Sequence, residues 1–229
     1  MYDLFAYGRM IADEGRLSAY ARALEMRVTP GAVVLDIGAG PGIMSLLACR
    51  AGAARVYAIE PDDVIEVARE AAAANGLSDR IQFFRAMSTA VDLPEKVDGI
   101  VADLRGVLPM NGSSIASIRD ARDRFLKPDG WLVADRDTLW AAVVSSSERY
   151  DGVVKGWHAG HDFDFSGARG RVLNNWRSAL ITPEEILVEP RCWATVDYKR
   201  LTSPHVTGEV AWTVEQDASA HGGDRKSVV

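Results

Sequence analysis

Asp36-x-Gly38-x-Gly40-x-Gly42 and Glu60 are the residues whose types and spacing could do chemistry. The glycines let the backbone approach a bound group and take up φ/ψ values that other residues avoid. Ile43–Ala48 reads as a helix whose first N–H groups carry a partial positive charge. A dinucleotide turn would read G-x-G-x-x-G. Here Ile43 stands where the third glycine belongs and Gly42 falls one place early. An acid two residues before the first glycine also lies outside that fingerprint. Asp36 reads instead as a partner for the positively charged amino end of S-adenosylmethionine. The spacing therefore points to a methyl-donor site, and a nicotinamide oxidoreductase is disfavoured. Arg55–Glu60 is a short apolar run ending in an acid, and a carboxylate at the end of a second strand accepts both ribose hydroxyls of an adenosine ligand. The alternative, that Glu60 caps the next helix, is weaker because Asp62 and Asp63 are better placed to do so.

The elements that must hold these residues alternate. Residues 2–26 read as one helix, with Met10, Ala21 and Leu24 apolar and Asp13, Glu14, Arg16 and Arg22 polar. Thr29-Pro30-Gly31 is a turn, followed by a buried strand at Val33–Ile37, a helix over 42–51 and a strand ending at Glu60. A helix starts at Pro61-Asp62-Asp63 and ends at Asn75-Gly76 in the manner of a glycine C-cap. Ile81–Phe84 and Val97–Ala102 are strands, Ile115–Leu126 is a helix, Pro128-Asp129-Gly130 is a turn and Trp131–Ala134 is a fifth strand. This order predicts an α/β fold: a Rossmann-like, doubly wound parallel sheet over residues 1–135.

The texture changes after Asp135. All six tryptophans lie at position 131 or beyond, and Cys192–Tyr198 and Glu209–Val214 alternate like antiparallel strands with one wet face. A β-rich C-terminal domain, an incomplete β-barrel, is expected over 136–217. Residues 218–229 read as a disordered tail. Asp224–Val229 can be encoded by GAT CGG AAG AGC GTC GTG, the start of a common sequencing adapter whose next triplet is a stop. The expectation is a truncation or sequencing artefact from 224, with the native protein continuing past Gly223.

Composition is that of an ordinary globular protein, with 229 residues, 48% hydrophobic and 25% charged. The net charge of −6, without a basic stripe, argues against nucleic-acid binding. Cys49 and Cys192 sit in apolar surroundings and are expected to be buried thiols, with no disulfide framework and no metal site. No signal peptide and no membrane span is evident, so a cytoplasmic location is expected. His158 and His161 form a second polar cluster, read as surface residues rather than ligands.

From Tyr2 to Val214 the chain resembles the protein arginine methyltransferase family, in a bacterial branch. The resemblance rests on Met10-x-x-Asp13-x-x-Arg16-x-x-x-Tyr20, on Leu35–Ile43, on Ala51–Glu60 with Val67–Glu70, on Asn75–Ile81, on Leu93–Asp98 and on Arg122–Gly130. It implies a class I S-adenosylmethionine-dependent methyltransferase. It implies that Arg16 pairs with the donor's carboxylate, although Arg16 could instead bridge Asp13 on its own helix. Gly38, Gly40 and Gly42 would line the donor, and Glu60 and Pro61 would meet the ribose. Tyr7 falls where the family often has a histidine near the cofactor. Thr89 falls where it has a glutamate facing the adenine, so Met87 and Ser88 would supply packing and backbone contacts.

The family carries two glutamates on the loop after strand four, which clamp a guanidinium. Asp103 takes the first position, one methylene short, and Gly112 takes the second, so that carboxylate is missing. Arg105 adds a positive charge nearby. A buried guanidinium without its planar acid partner is costly, so arginine is disfavoured as the acceptor. Asp103 is the candidate catalytic acid, for orientation or proton removal. The acceptor is a small molecule or a protein side chain, and the full-length protein could form a homodimer. The rival reading is a cofactor-binding module without catalysis.

Overall fold

The computed structural model describes residues 3–104, 108–110, 112–158, 163–214 and 217–228, apart from the side chains of His158, Ser227 and Val228. The helices are α1 (Leu4–Ala12), α2 (Glu14–Arg27), α3 (Ile43–Arg50), α4 (Ile65–Ala74), α5 (Ser114–Phe125), α6 (Ser147–Val154) and α7 (Ser166–Leu173). The strands are β1 (Val33–Ile37), β2 (Arg55–Ile59), β3 (Ile81–Phe84), β4 (Val97–Ala102), β5 (Leu126–Val133), β6 (Arg136–Val144), β7 (Arg191–Asp197) and β8 (Gly222–Val228).

The chain divides into two units. The first spans Met1–Asp137 with Val196–Val206; the second spans Thr138–Thr195 with Thr207–Val228. In the first, five parallel strands run in the order β3-β2-β1-β4-β5 among the described residues. Buried on both faces, β1 and β4 are mostly apolar, each interrupted by one aspartate, Asp36 in β1 and Asp98 in β4. Ile37 pairs with Ile59 on β2 and with Ala102 on β4, so Gly38, Glu60 and Asp103 all emerge together at the carboxyl ends of the strands. The strand order reverses beside β1, which is where open α/β sheets bind ligands.

Four expectations about this unit are corrected. The single N-terminal helix is two, because the Asp13 carboxylate accepts from Arg16 N at 3.0 Å and caps a new helix there. Neither Asp62 nor Asp63 caps α4; Val64 occupies the N-cap without a side-chain bond. The C-terminus of α4 is as expected: Gly76 has φ 67°, and Leu77 N donates to Ala72 O at 2.9 Å. The Pro128-Asp129-Gly130 turn lies inside β5, whose pairing jumps from Leu126 (with Val97) to Trp131 (with Gly99), leaving Lys127–Gly130 as an irregularity in which Lys127–Asp129 are exposed and Gly130 is buried. Finally, Val196–Val206 returns to this unit. Tyr198 is buried, with its hydroxyl donating to Asp137 Oδ2 at 2.6 Å, and Arg122 Nη1 donates to the carbonyls of Tyr198 and Leu201, each at 2.8 Å.

In the second unit a sheet of order β7-β6-β8 carries α6 and α7 as an insertion after β6. β8 corrects the expected disordered tail: Gly222–Val228 pairs antiparallel along Val144–Thr138. An antiparallel ladder needs only backbone groups, so a polar segment can fill an open edge. Glu209–Val214 is not a strand; side chains tie it to the start of β7 instead, with Arg191 Nη1 donating to Ala211 O at 2.7 Å and Trp212 Nε1 to Glu189 O at 2.9 Å. Cys192 is exposed rather than buried, whereas Cys49 is buried.

Candidate functional site

One cavity of about 360 Å³ opens where β1, β2 and β4 end. Tyr7, Met10 and Ile11 of α1 and Arg16 and Leu17 of α2 form one wall. Gly38–Pro41 with Ile43 and Met44, then Glu60, Asp103 and Leu104, form the rest. The glycine turn is shaped by contacts that exclude a side chain. A Cβ on Gly40 would lie 2.8 Å from Tyr7 Cε1, and φ there is 52°. At Gly42, φ is 85° and a Cβ would lie 2.7 Å from the Ala68 Cβ, so this glycine both starts α3 and admits α4.

Glu60 is buried, with both carboxylate oxygens engaged at the cavity wall. Oε2 accepts from Gly40 N and Oε1 from Asp62 N, each at 3.0 Å. It thus fixes the glycine turn, and its own N donates to Phe84 O at 3.0 Å, which sets the segment after β3 beside it. A carboxylate offers about four lone-pair sites, so two remain for a ligand's hydroxyls.

Asp103 is clamped from α2. The Tyr20 hydroxyl donates to its Oδ1 at 3.0 Å, and Arg16 Nη2 pairs with its Oδ2. Arg16 therefore pairs with Asp103 and not with Asp13, whose carboxylate is used on Arg16's own backbone N–H.

The structure brings Tyr7, Arg16, Gly38, Gly40, Glu60 and Asp103 around one space. It does not bring Asp36 there. Asp36 is fully buried and accepts from Ser45 Oγ at 2.6 Å, tying β1 to α3. Burial pushes its carboxyl up to about 7, partly offset by the Ser45 hydrogen bonds. Asp36 thus lies outside the cavity lining, with its carboxyl joined to Ser45. Gly42, Pro61, Met87, Ser88 and Thr89 are also absent from the lining. Gly42 instead shapes the turn. Met87 and Thr89 are exposed and Ser88 is buried, all in the short turn after β3.

At Gly112 a Cβ would meet no atom within 4 Å, and no carboxylate stands there. Arg105, the His158 side chain and His161 lie outside the described residues. No group of three or more His, Cys, Asp or Glu that could hold a metal occurs among the described residues. Sequence reasoning missed Tyr20 and Leu104 as site residues. The Tyr20–Asp103 bond joins residues 83 positions apart, a separation that no local pattern signals.

The comparisons with known proteins bear on this same arrangement. The profile described as ribosomal protein L11 methyltransferase (PrmA) matches residues 19–135. A probable protein arginine N-methyltransferase 6 from Arabidopsis thaliana is 32% identical over 198 residues, covering 84% of this chain and 46% of the relative. Protein arginine N-methyltransferase 6 from Xenopus tropicalis is 32% identical over 214 residues, covering 89% of this chain and 63% of the relative. This chain belongs to the protein arginine methyltransferase family. It spans about half the length of the first of these relatives. The crystal structure of Arabidopsis thaliana protein arginine methyltransferase 10 superposes with a TM-score of 0.73 at 26% identity, covering 87% of this chain and 64% of that one. A Trypanosoma brucei PRMT1 enzyme–prozyme complex with AdoHcy gives a TM-score of 0.80 at 24% identity, covering 86% and 62%, a likeness of fold.

Proposed function

We propose that this chain binds S-adenosylmethionine in the cavity at the β1, β2 and β4 ends and transfers its methyl group to an acceptor beside Asp103. The observation that carries the reading is the convergence of the side-chain-free turn, the buried Glu60 and the Arg16–Asp103 pair on one space. The residues fit the donor. Glu60 takes the ribose hydroxyls, the turn at Gly38–Gly42 admits the backbone-to-ligand approach, and Arg16 is the cation for its carboxylate. The donor's sulfonium supplies an already activated methyl. Asp103 would orient the acceptor towards that methyl and receive any proton it releases.

With Gly112 in place of a second acid, the acceptor is a small molecule or a protein side chain other than arginine. Gly112 and the prior engagement of Asp103 by Arg16 and Tyr20 also favour a second reading, donor binding without turnover. Radiolabelled methyl transfer to a panel of small amines, hydroxyl compounds and peptides separates the two. The methyltransferase reading predicts transfer by the wild type. It also predicts loss of transfer in Asp103→Asn with S-adenosylhomocysteine binding retained, because the substitution frees Arg16 for the donor. Donor binding with no transfer to any acceptor would leave the second reading. Transfer to arginine peptides would overturn the acceptor assignment.

A further inference from the structure

We infer that Asp36 and Ser45 are a positioning pair behind the glycine turn. The ionised Asp36 carboxylate, through Ser45, holds the start of α3 and sets the turn for the ligand, so that binding follows the protonation of Asp36. The inference rests on the donor site proposed above.

The two residues bracket one wall of the cavity. Between them lie Gly38–Pro41, Ile43 and Met44, all of which line it, while Asp36 and Ser45 are buried and do not. The first half of the turn is fastened to β2. Gly38 N and Ala39 N donate to Ile59 O at 2.8 and 3.1 Å, and Gly40 N donates to Glu60 Oε2. The second half runs into α3, whose N-cap Gly42 makes no side-chain bond. Asp36 secures that helix start from β1. Its Oδ2 accepts from Ser45 Oγ at 2.6 Å, and Ser45 is the third residue of α3.

The charge of Asp36 decides how firm this hold is. An oxygen–oxygen distance of 2.6 Å is that of a hydroxyl donating to a carboxylate, a bond about twice as strong as its neutral counterpart. The partial positive charge at the start of α3 favours the same ionised form. Against this, burial pushes the carboxyl up to about 7. Glu60 at the end of β2 pushes in the same direction, and the Ser45 hydroxyl and backbone N–H pull it down. Level with Asp36 on β2 and β4 stand Ala58 and Val101, which do not titrate. The carboxyl therefore changes charge near neutral pH, and the turn it braces is the one a ligand meets. A neutral Asp36 leaves turn and helix less firmly joined, so a ligand that needs the turn fixed draws the proton off.

The experiment is calorimetric titration of the full 229-residue chain, of Asp36→Asn and of Ser45→Ala with S-adenosylhomocysteine. It runs between about pH 6 and about pH 8.5, on either side of the carboxyl's titration. Melting temperatures are followed in parallel. The wild type is expected to bind about fivefold more tightly at the alkaline end and to release protons on binding, seen as a heat that depends on the buffer. Asp36→Asn binds with one affinity across the range, close to that of the wild type at the acid end, although at the alkaline end it melts higher than the wild type. Ser45→Ala moves the midpoint of the profile to higher pH, because a bond that pulls the carboxyl down is gone. A merely structural loss would weaken binding equally at every pH. Asp36→Asn carries the test alone should Ser45→Ala fail to fold. A flat wild-type profile, a profile that persists in Asp36→Asn, or an unmoved midpoint in folded Ser45→Ala would overturn the inference while leaving the donor site standing. A wild type that binds at no pH would overturn the donor site itself, and this inference with it.

Discussion

Asp36 is not among the residues that line the cavity. Its spacing before Gly38 marks the turn, but its carboxyl is enclosed and bonded to Ser45. Burial raises its pKa from 3.8 to about 7. A raised folded-state pKa means that the native state holds a proton the unfolded chain has released. Its contribution is therefore fully present below pH 3.8 and is lost as pH rises towards 7. Asp36→Asn removes this loss. Relative to the wild type it should gain about 2–4 kcal/mol between pH 4 and pH 8, read from urea melts across that range. A constant difference would mean that Asp36 does not titrate in the fold. Glu60 is the contrasting case, since its position at the end of β2 was legible and its carboxylate does face the cavity. What was hidden is that the same carboxylate also braces the glycine turn through Gly40 N.

At the scale of elements, β1 to β4 were readable to within a residue because each is a short, mainly apolar run bounded by turn residues. The break between α1 and α2 was not readable as such. An aspartate in a polar helix face and an aspartate cap look alike until the backbone shows which is used. Nor was β8 readable. Gly222–Val228 carries no alternating pattern, yet backbone pairing to β6 needs none. Two helix ends matter most to the site: the start of α3 at Gly42 and the flank of α4 at Ala68 that meets it. Gly42→Ala must hold a left-handed backbone with a Cβ and push against Ala68. It should cost about 2–4 kcal/mol, measured as a fall in melting temperature with weakened donor binding. An unaffected variant would show that the turn's conformation is not what positions α4. At the far edge, Arg119 and Arg122 bond the carbonyls of Tyr198, Leu201 and Thr202, which is why Val196–Val206 joins the first unit rather than the β-rich one.

For the whole molecule, each unit leaves large apolar side chains in water. The first buries a continuous core from α2 through the sheet but leaves Phe5 80% and Met26 79% exposed. The second leaves Phe163, Trp176 and Leu180 between 70% and 85% exposed. Exposed apolar groups of this size mark surfaces that associate. Self-association at tens of micromolar protein is therefore expected in light scattering, increasing when Gly222–Val228 is deleted and the β6 edge is opened. A monodisperse, cooperatively melting monomer in both forms would contradict this. The account as a whole stands on the donor site, and calorimetric titration of S-adenosylhomocysteine into the wild type and Glu60→Ala tests it most directly. The predicted result is saturable 1:1 binding in the micromolar range, weakened at least about tenfold in Glu60→Ala. No binding by the wild type, equal affinity in both proteins, or tighter binding of NAD would contradict it.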